Sequence, residues 1–121
     1  FSIDMNRLKV LEEIGFRYDS SMMGDSPYGI GEIIEYPIAK YKHKVPFSGG
    51  GFFRLMPFWF IKKAMKEMNY VMTYFHPRDF DEDQPRWKGL SLKDKFIGYV
   101  GVKSAFGKFQ KMLDNFNFET L

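Results

Sequence analysis

Apolar residues at Leu8, Leu11 and Ile14, with Val10 widening the stripe, recur at the spacing of one helix face. Ser2 or Asp4 stands where the N-terminal cap of that helix belongs. Gly15 stands where it would stop in the left-handed conformation, with Phe16 closing a hydrophobic contact beyond it. A strand through Phe16, Tyr18 and Asp19 follows, then SSMMGDSPYGIG, whose Gly, Pro and Ser content predicts a loop. EIIEYPIA, Glu32 to Ala39, predicts a short strand that Pro37 confines to a sheet edge or ends. Pro57 opens a helix to about Met68, with Asn69 as its stop. Tyr70 to Phe75 is rich in β-formers and predicts a buried strand. Ser91 caps a short helix at LKDKF. A last helix spans about Ser104 to Phe116, with Phe106, Phe109, Met112, Leu113 and Phe116 inward and Gly107 weakening it. Helices alternating with strands predict an α/β fold with parallel pairing, without repeat or linker.

The length of 121 residues suits one domain, or a piece of a larger one. An aromatic fraction of 19% exceeds what a small monomer needs for its core, which predicts a face awaiting a neighbour, either a missing part of the domain or a second copy in a homo-oligomer. Eighteen basic and fifteen acidic residues alternate in sign along much of the chain, which argues against a phosphate-tracking stripe and against nucleic acid as partner. The absence of cysteine excludes disulfides and thiolate metal sites. No apolar run reaches the roughly 18 residues of a membrane-spanning helix. The start, FSIDMNRLKV, has neither an initiator methionine nor a signal-peptide layout and reads as an internal cut, so the compartment, bacterial cytoplasm or cell envelope, stays open.

The chemistry gathers at TYFHPRDFDEDQPRW, residues 73–87. His76 ends the predicted strand, where α/β folds concentrate functional residues, and an imidazole can donate or accept a proton near neutrality. The alternative is a histidine satisfied by hydrogen bonds at a strand end. His43, between Lys42 and Lys44, reads as a loop residue. Asp79, Asp81, Glu82 and Asp83 lack the glycine turn and alternation of a calcium loop and read as a solvated turn, although Asp79 could hold substrate or orient Arg78. No histidine pair has metal-ligand spacing, so no metal site is expected within the chain. Gly49 to Gly51 are expected to serve neither packing nor helix, but unusual backbone angles or a close approach of main chain. As a connection they would be flexible; as a site, their amides and Arg54 would line a polar cleft.

These motifs resemble one family over the whole chain and in its order. LEEIGFRYDSS, VPFSGGGFFRLMP, YFHPRDFDEDQPR and the closing FIGYVGVKSAFGKFQKMLDNFNFETL resemble segments of polysaccharide deacetylases of the NodB-homology type, in the subfamily associated with exopolysaccharide loci. The resemblance implies a distorted (β/α) barrel of which residues 1–121 are the C-terminal portion, the N-terminal metal-binding half being absent. It implies metal-dependent hydrolysis of N-acetyl groups on a polysaccharide or oligosaccharide, with zinc or a similar divalent ion held by the full-length parent, and an inactive isolated fragment. His76 matches the histidine that protonates the departing amine, Tyr74 a residue beside the acetyl pocket, and Asp19 the carboxylate paired with the histidine. YDSS departs from the family's usual Asp-x-x-Asp-Trp form, and Arg78 replaces a frequent tryptophan. The other reading is a noncatalytic carbohydrate-binding or protein-interaction module, in which Tyr28, Trp59 and Trp87 stack on sugar and His76 is structural.

Overall fold

The computed structural model describes residues 4–120 as a mixed α/β fold of small sheets and several helices. Helix α1, Met5–Glu13, begins at Asp4, whose carboxylate accepts the Arg7 amide. It ends at Gly15, with φ of +93°, a value that costs other residues dearly. Ser2, the alternative cap, lies outside the described residues. Leu8 is buried, but Ile14, Val10 and Phe16 are exposed, so the contact expected of Phe16 beyond the helix is not a buried one.

Strands β1 (Tyr18–Asp19), β2 (Tyr28–Ile30) and β3 (Ile33–Glu35) form a sheet in the order β1-β3-β2. β1 runs parallel to β3 and β2 antiparallel to it. β3 is therefore central, and Pro37 ends it rather than marking an edge. β2 lies inside the segment expected to be loop. Its glycines and proline hid a hairpin whose two-residue turn, Gly31–Glu32, places Gly31 at φ +61°. The Glu12 carboxylate accepts the Glu32 amide at 2.7 Å and ties α1 to this turn.

A second hairpin pairs β4 (Lys40–Tyr41) with β5 (Val45–Pro46). Its turn puts Lys42 and His43 in the left-handed region, and the exposed His43 ring meets the Asp25 carboxylate. Parallel pairing is thus one part of the topology, with antiparallel hairpins beside it. The expected strand Tyr70–Phe75 is an extended segment held by two single parallel bridges, Met72 to Ile38 and Tyr74 to Gly49.

Helices α2 (Gly50–Leu55), α3 (Phe58–Glu67), α4 (Leu92–Tyr99) and α5 (Val102–Asn115) complete the fold. Ser91 caps α4 by accepting the Asp94 amide. The principal core joins Tyr41, Phe47, Phe53, Ile61, Ala64 and Met112, with Phe75 and Phe109 packed against it. On α5, Met112 is buried, while Phe106 and Leu113 face outward; Ala105 and Val102 take the inner positions because the helix docks closely there. A Cβ at Gly101 would fall 2.2 Å from the Arg54 carbonyl oxygen, and Gly101 itself has φ +68°. Lys108 donates to the carbonyls of Phe53, Arg54 and Met56, at 3.1, 2.5 and 3.0 Å. These are the free carbonyls at the end of α2, where a cation is favoured. Burial, and then the Arg54 charge, pulls the Lys108 pKa down.

Candidate functional site

Residues 74–76 alternate as extended chain does. Phe75 turns inward, edge-on to Phe53 at 4.8 Å and to Phe109 at 5.2 Å between centroids. Its neighbours turn the other way, and the Tyr74 and His76 rings stand 6.4 Å apart. His76 is exposed. Its extended backbone gives way to a 3-10 turn, Pro77–Asp79, with Pro77 at the first position. The Asp79 amide donates to the His76 carbonyl at 2.8 Å, and the His76 amide donates to Asp79 Oδ2 at 2.9 Å.

Asp79 is buried, and so is Arg54, whose Nε lies 3.1 Å from Asp79 Oδ1. The angle is poor for a hydrogen bond, so this contact is an ion pair. The two Nη nitrogens donate to the Gly98 and Ile97 carbonyls at 2.7 and 2.9 Å. Burial lowers the Arg54 pKa, the Asp79 charge offsets part of that, and Arg78 adds to it. Arg54 and Asp79, expected to meet substrate, turn polar atoms to each other and to backbone, and so brace the histidine turn. Arg78, two residues beyond His76 in the chain, is exposed. It borders a concavity that Gln84, Trp87, Asp94 and Tyr99 also line. A wider concavity lies elsewhere, against Tyr18, Tyr36, Tyr70 and the 116–120 tail; it is lined by no histidine and takes no part in this arrangement.

Gly49 and Gly50 lie against Tyr74. A Cβ at Gly49 would sit 2.1 Å from the Tyr74 carbonyl oxygen and 2.6 Å from its ring. The expectation of close main-chain approach therefore holds at Gly49, whereas Gly50 and Gly51 open helix α2, contrary to the expectation that they avoid helix. Burial, followed by the Asp79 charge, raises the Tyr74 pKa. Gly49→Ala should cost about 1–3 kcal/mol or more, since the obstacle is backbone and cannot rotate away. Thermal melting of the intact protein measures it; an unchanged midpoint would show that the segments separate freely.

Asp19 closes β1 and accepts the Ser21 hydroxyl at 3.1 Å. It forms no ion pair with His76 among the described residues, because strand register sets it against Glu35. Glu35 is a residue that sequence reasoning passed over. Its signal was present: Ile33 and Glu35 share one face of β3, and a glutamate on a buried face needs a partner. Among the described residues no group of three His, Cys, Asp or Glu side chains is placed to share a metal ion, so the residues present do not fit the metal that the resemblance implies. No helix of the described residues is long and apolar enough to cross a membrane. Of the aromatic side chains expected to stack on sugar, Trp59 and Trp87 are more exposed than Tyr28.

No curated protein and no solved structure matches the chain. Residues 12–121 match the family described as a domain of unknown function, DUF3473. The chain therefore belongs to the DUF3473 family, a domain that in polysaccharide deacetylase proteins is a C-terminal region.

Proposed function

We propose that this chain is the C-terminal part of a NodB-type polysaccharide deacetylase, a distorted (β/α) barrel that removes N-acetyl groups from a sugar. The observation that supports it is the exposed His76 ring at the end of an extended segment, on a turn locked by a buried ion pair. In this reading His76 is the general acid, protonating the departing amine nitrogen. Tyr74 flanks the acetyl group and Arg78 contacts the sugar from the adjoining concavity. Arg54 and Asp79 hold the turn. Asp19 supplies a negative charge to the site from β1, beyond ion-pair range of the ring. The divalent metal would be held by residues outside this chain, where it would activate the attacking water.

The exposed Trp87 supports a second reading, sugar binding without catalysis. Turnover of an N-acetylated oligosaccharide by the intact protein, with bound metal measured alongside, separates the two. The hydrolase reading expects His76→Ala to lower turnover and leave metal content unchanged. The binding reading expects no turnover in either form and undiminished sugar affinity. Undiminished turnover in the variant would remove His76 from the mechanism.

A further inference from the structure

Glu35 is completely buried. Its Oε1 accepts the Ser21 and Met22 amides at 3.0 and 2.8 Å, but its Oε2 is buried with no partner. Directly across the parallel register stands Asp19, whose Oδ1 takes the Ser21 hydroxyl and whose Oδ2 is likewise buried and unpartnered. No lysine, arginine or histidine forms an ion pair with either carboxyl among the described residues. Two ionised carboxylates so placed would repel each other without a donor between them, whereas one proton turns one acceptor into a donor and satisfies both orphaned atoms.

We infer that Asp19 and Glu35 hold one proton between Asp19 Oδ2 and Glu35 Oε2, which makes Glu35 the positioning residue for Asp19. The pair then carries one negative charge instead of two, with the Asp19 carboxylate fixed by a hydrogen bond it could not otherwise make. Tyr70, which feels the Glu35 charge, adds no competing cation. Tyr70 is pushed up to about 12, by burial first and then by the charges of Glu35 and Tyr36, and its hydroxyl donates to the Pro37 carbonyl. Burial is also the main cause that raises the Glu35 pKa above its ordinary 4.5; the Met22 amide opposes it, and the hydrogen bond and charge of Asp19 add to it. The proton is shared by the pair rather than owned by one residue. The catalytic importance of this rests on the deacetylase reading; the shared proton does not.

The folded state binds this proton more tightly than the unfolded chain, so its stabilisation is full below about pH 4.5 and is lost as pH rises through the higher folded-state value. Glu35→Gln keeps the amide acceptor and presents a permanent N–H to Asp19 in place of the proton. The expected result, by carboxyl-carbon NMR of the intact protein, is one carboxyl that remains protonated above the ordinary glutamate range. That signal disappears in Glu35→Gln, and in Asp19→Asn the Glu35 titration moves down. Melting of Glu35→Gln should lose the decline that accompanies rising pH, and its turnover should survive where that of Glu35→Ala falls. Both carboxyls ionising together in the ordinary range would overturn the pair. A shared proton with equal turnover in Glu35→Gln and Glu35→Ala would overturn the positioning role while leaving the pair intact. An intact protein that shows the shared proton and no turnover at all counts against the deacetylase reading instead.

Discussion

Arg54→Met should destabilise the intact protein by about 3–5 kcal/mol, the cost of stripping one partner from a buried ion pair. Methionine fills similar space, so the loss is electrostatic rather than a cavity. It leaves Asp79 buried without its counter-charge, and it leaves the Ile97 and Gly98 carbonyls without their donors. Lysine cannot rescue it, because one ammonium cannot span the fork that reaches α4 and Asp79 together. Asp79→Asn is the informative companion. Its amide oxygen can still accept from His76, and in the Arg54→Met background it removes the stranded charge. The double variant should therefore lose clearly less than the sum of the two single losses. Melting curves of the four proteins check this; strict additivity would mean that the two groups do not act as a unit. Turnover should fall with stability even below the melting range, because the turn that aims His76 loosens first.

His76→Ala should lower turnover by roughly 10²–10⁴-fold, the usual contribution of a positioned general acid. The departing amine is a poor leaving group unless it is protonated as the carbon–nitrogen bond breaks. The ring can serve because Phe75, locked among Phe53, Phe80 and Phe109, forces its neighbour to the opposite side of the chain. His76→Gln, which keeps a polar side chain without a transferable proton, should behave like alanine. Recovery of turnover in His76→Gln would recast the ring as a hydrogen-bond donor only.

Much of the helical framework was legible because its signals are local. Asp4, Gly15, Pro57 and Ser91 each act on amides or dihedrals within a turn of themselves, and each stands where the sequence implied. The sheets were less legible. β2 reads as loop because its neighbours are Gly and Pro, and only pairing with β3 makes it a strand. Tyr70–Phe75 has strand composition, yet single bridges are all its neighbours offer. Within the site, His76 could be found from the end of an apolar run. The Arg54–Asp79 pair could not, since the 24 intervening residues carry no mark of it. Phe106 and Leu113 fit the apolar period of α5 but face solvent, because the helix rests on its small residues, Ala105 and Val102.

Beside the side-chain core, the docking of α5 onto α2 draws on main-chain atoms. Lys108 grips three carbonyls and Gly101 abuts the Arg54 backbone, and a peptide oxygen is the same whichever residue carries it. Side chains along the outer surface of α2, such as Phe52 and Leu55, can accordingly be exchanged to retune what that surface meets without the last helix losing its seat. Gly101 and Lys108 are the two letters of that joint that admit no synonym.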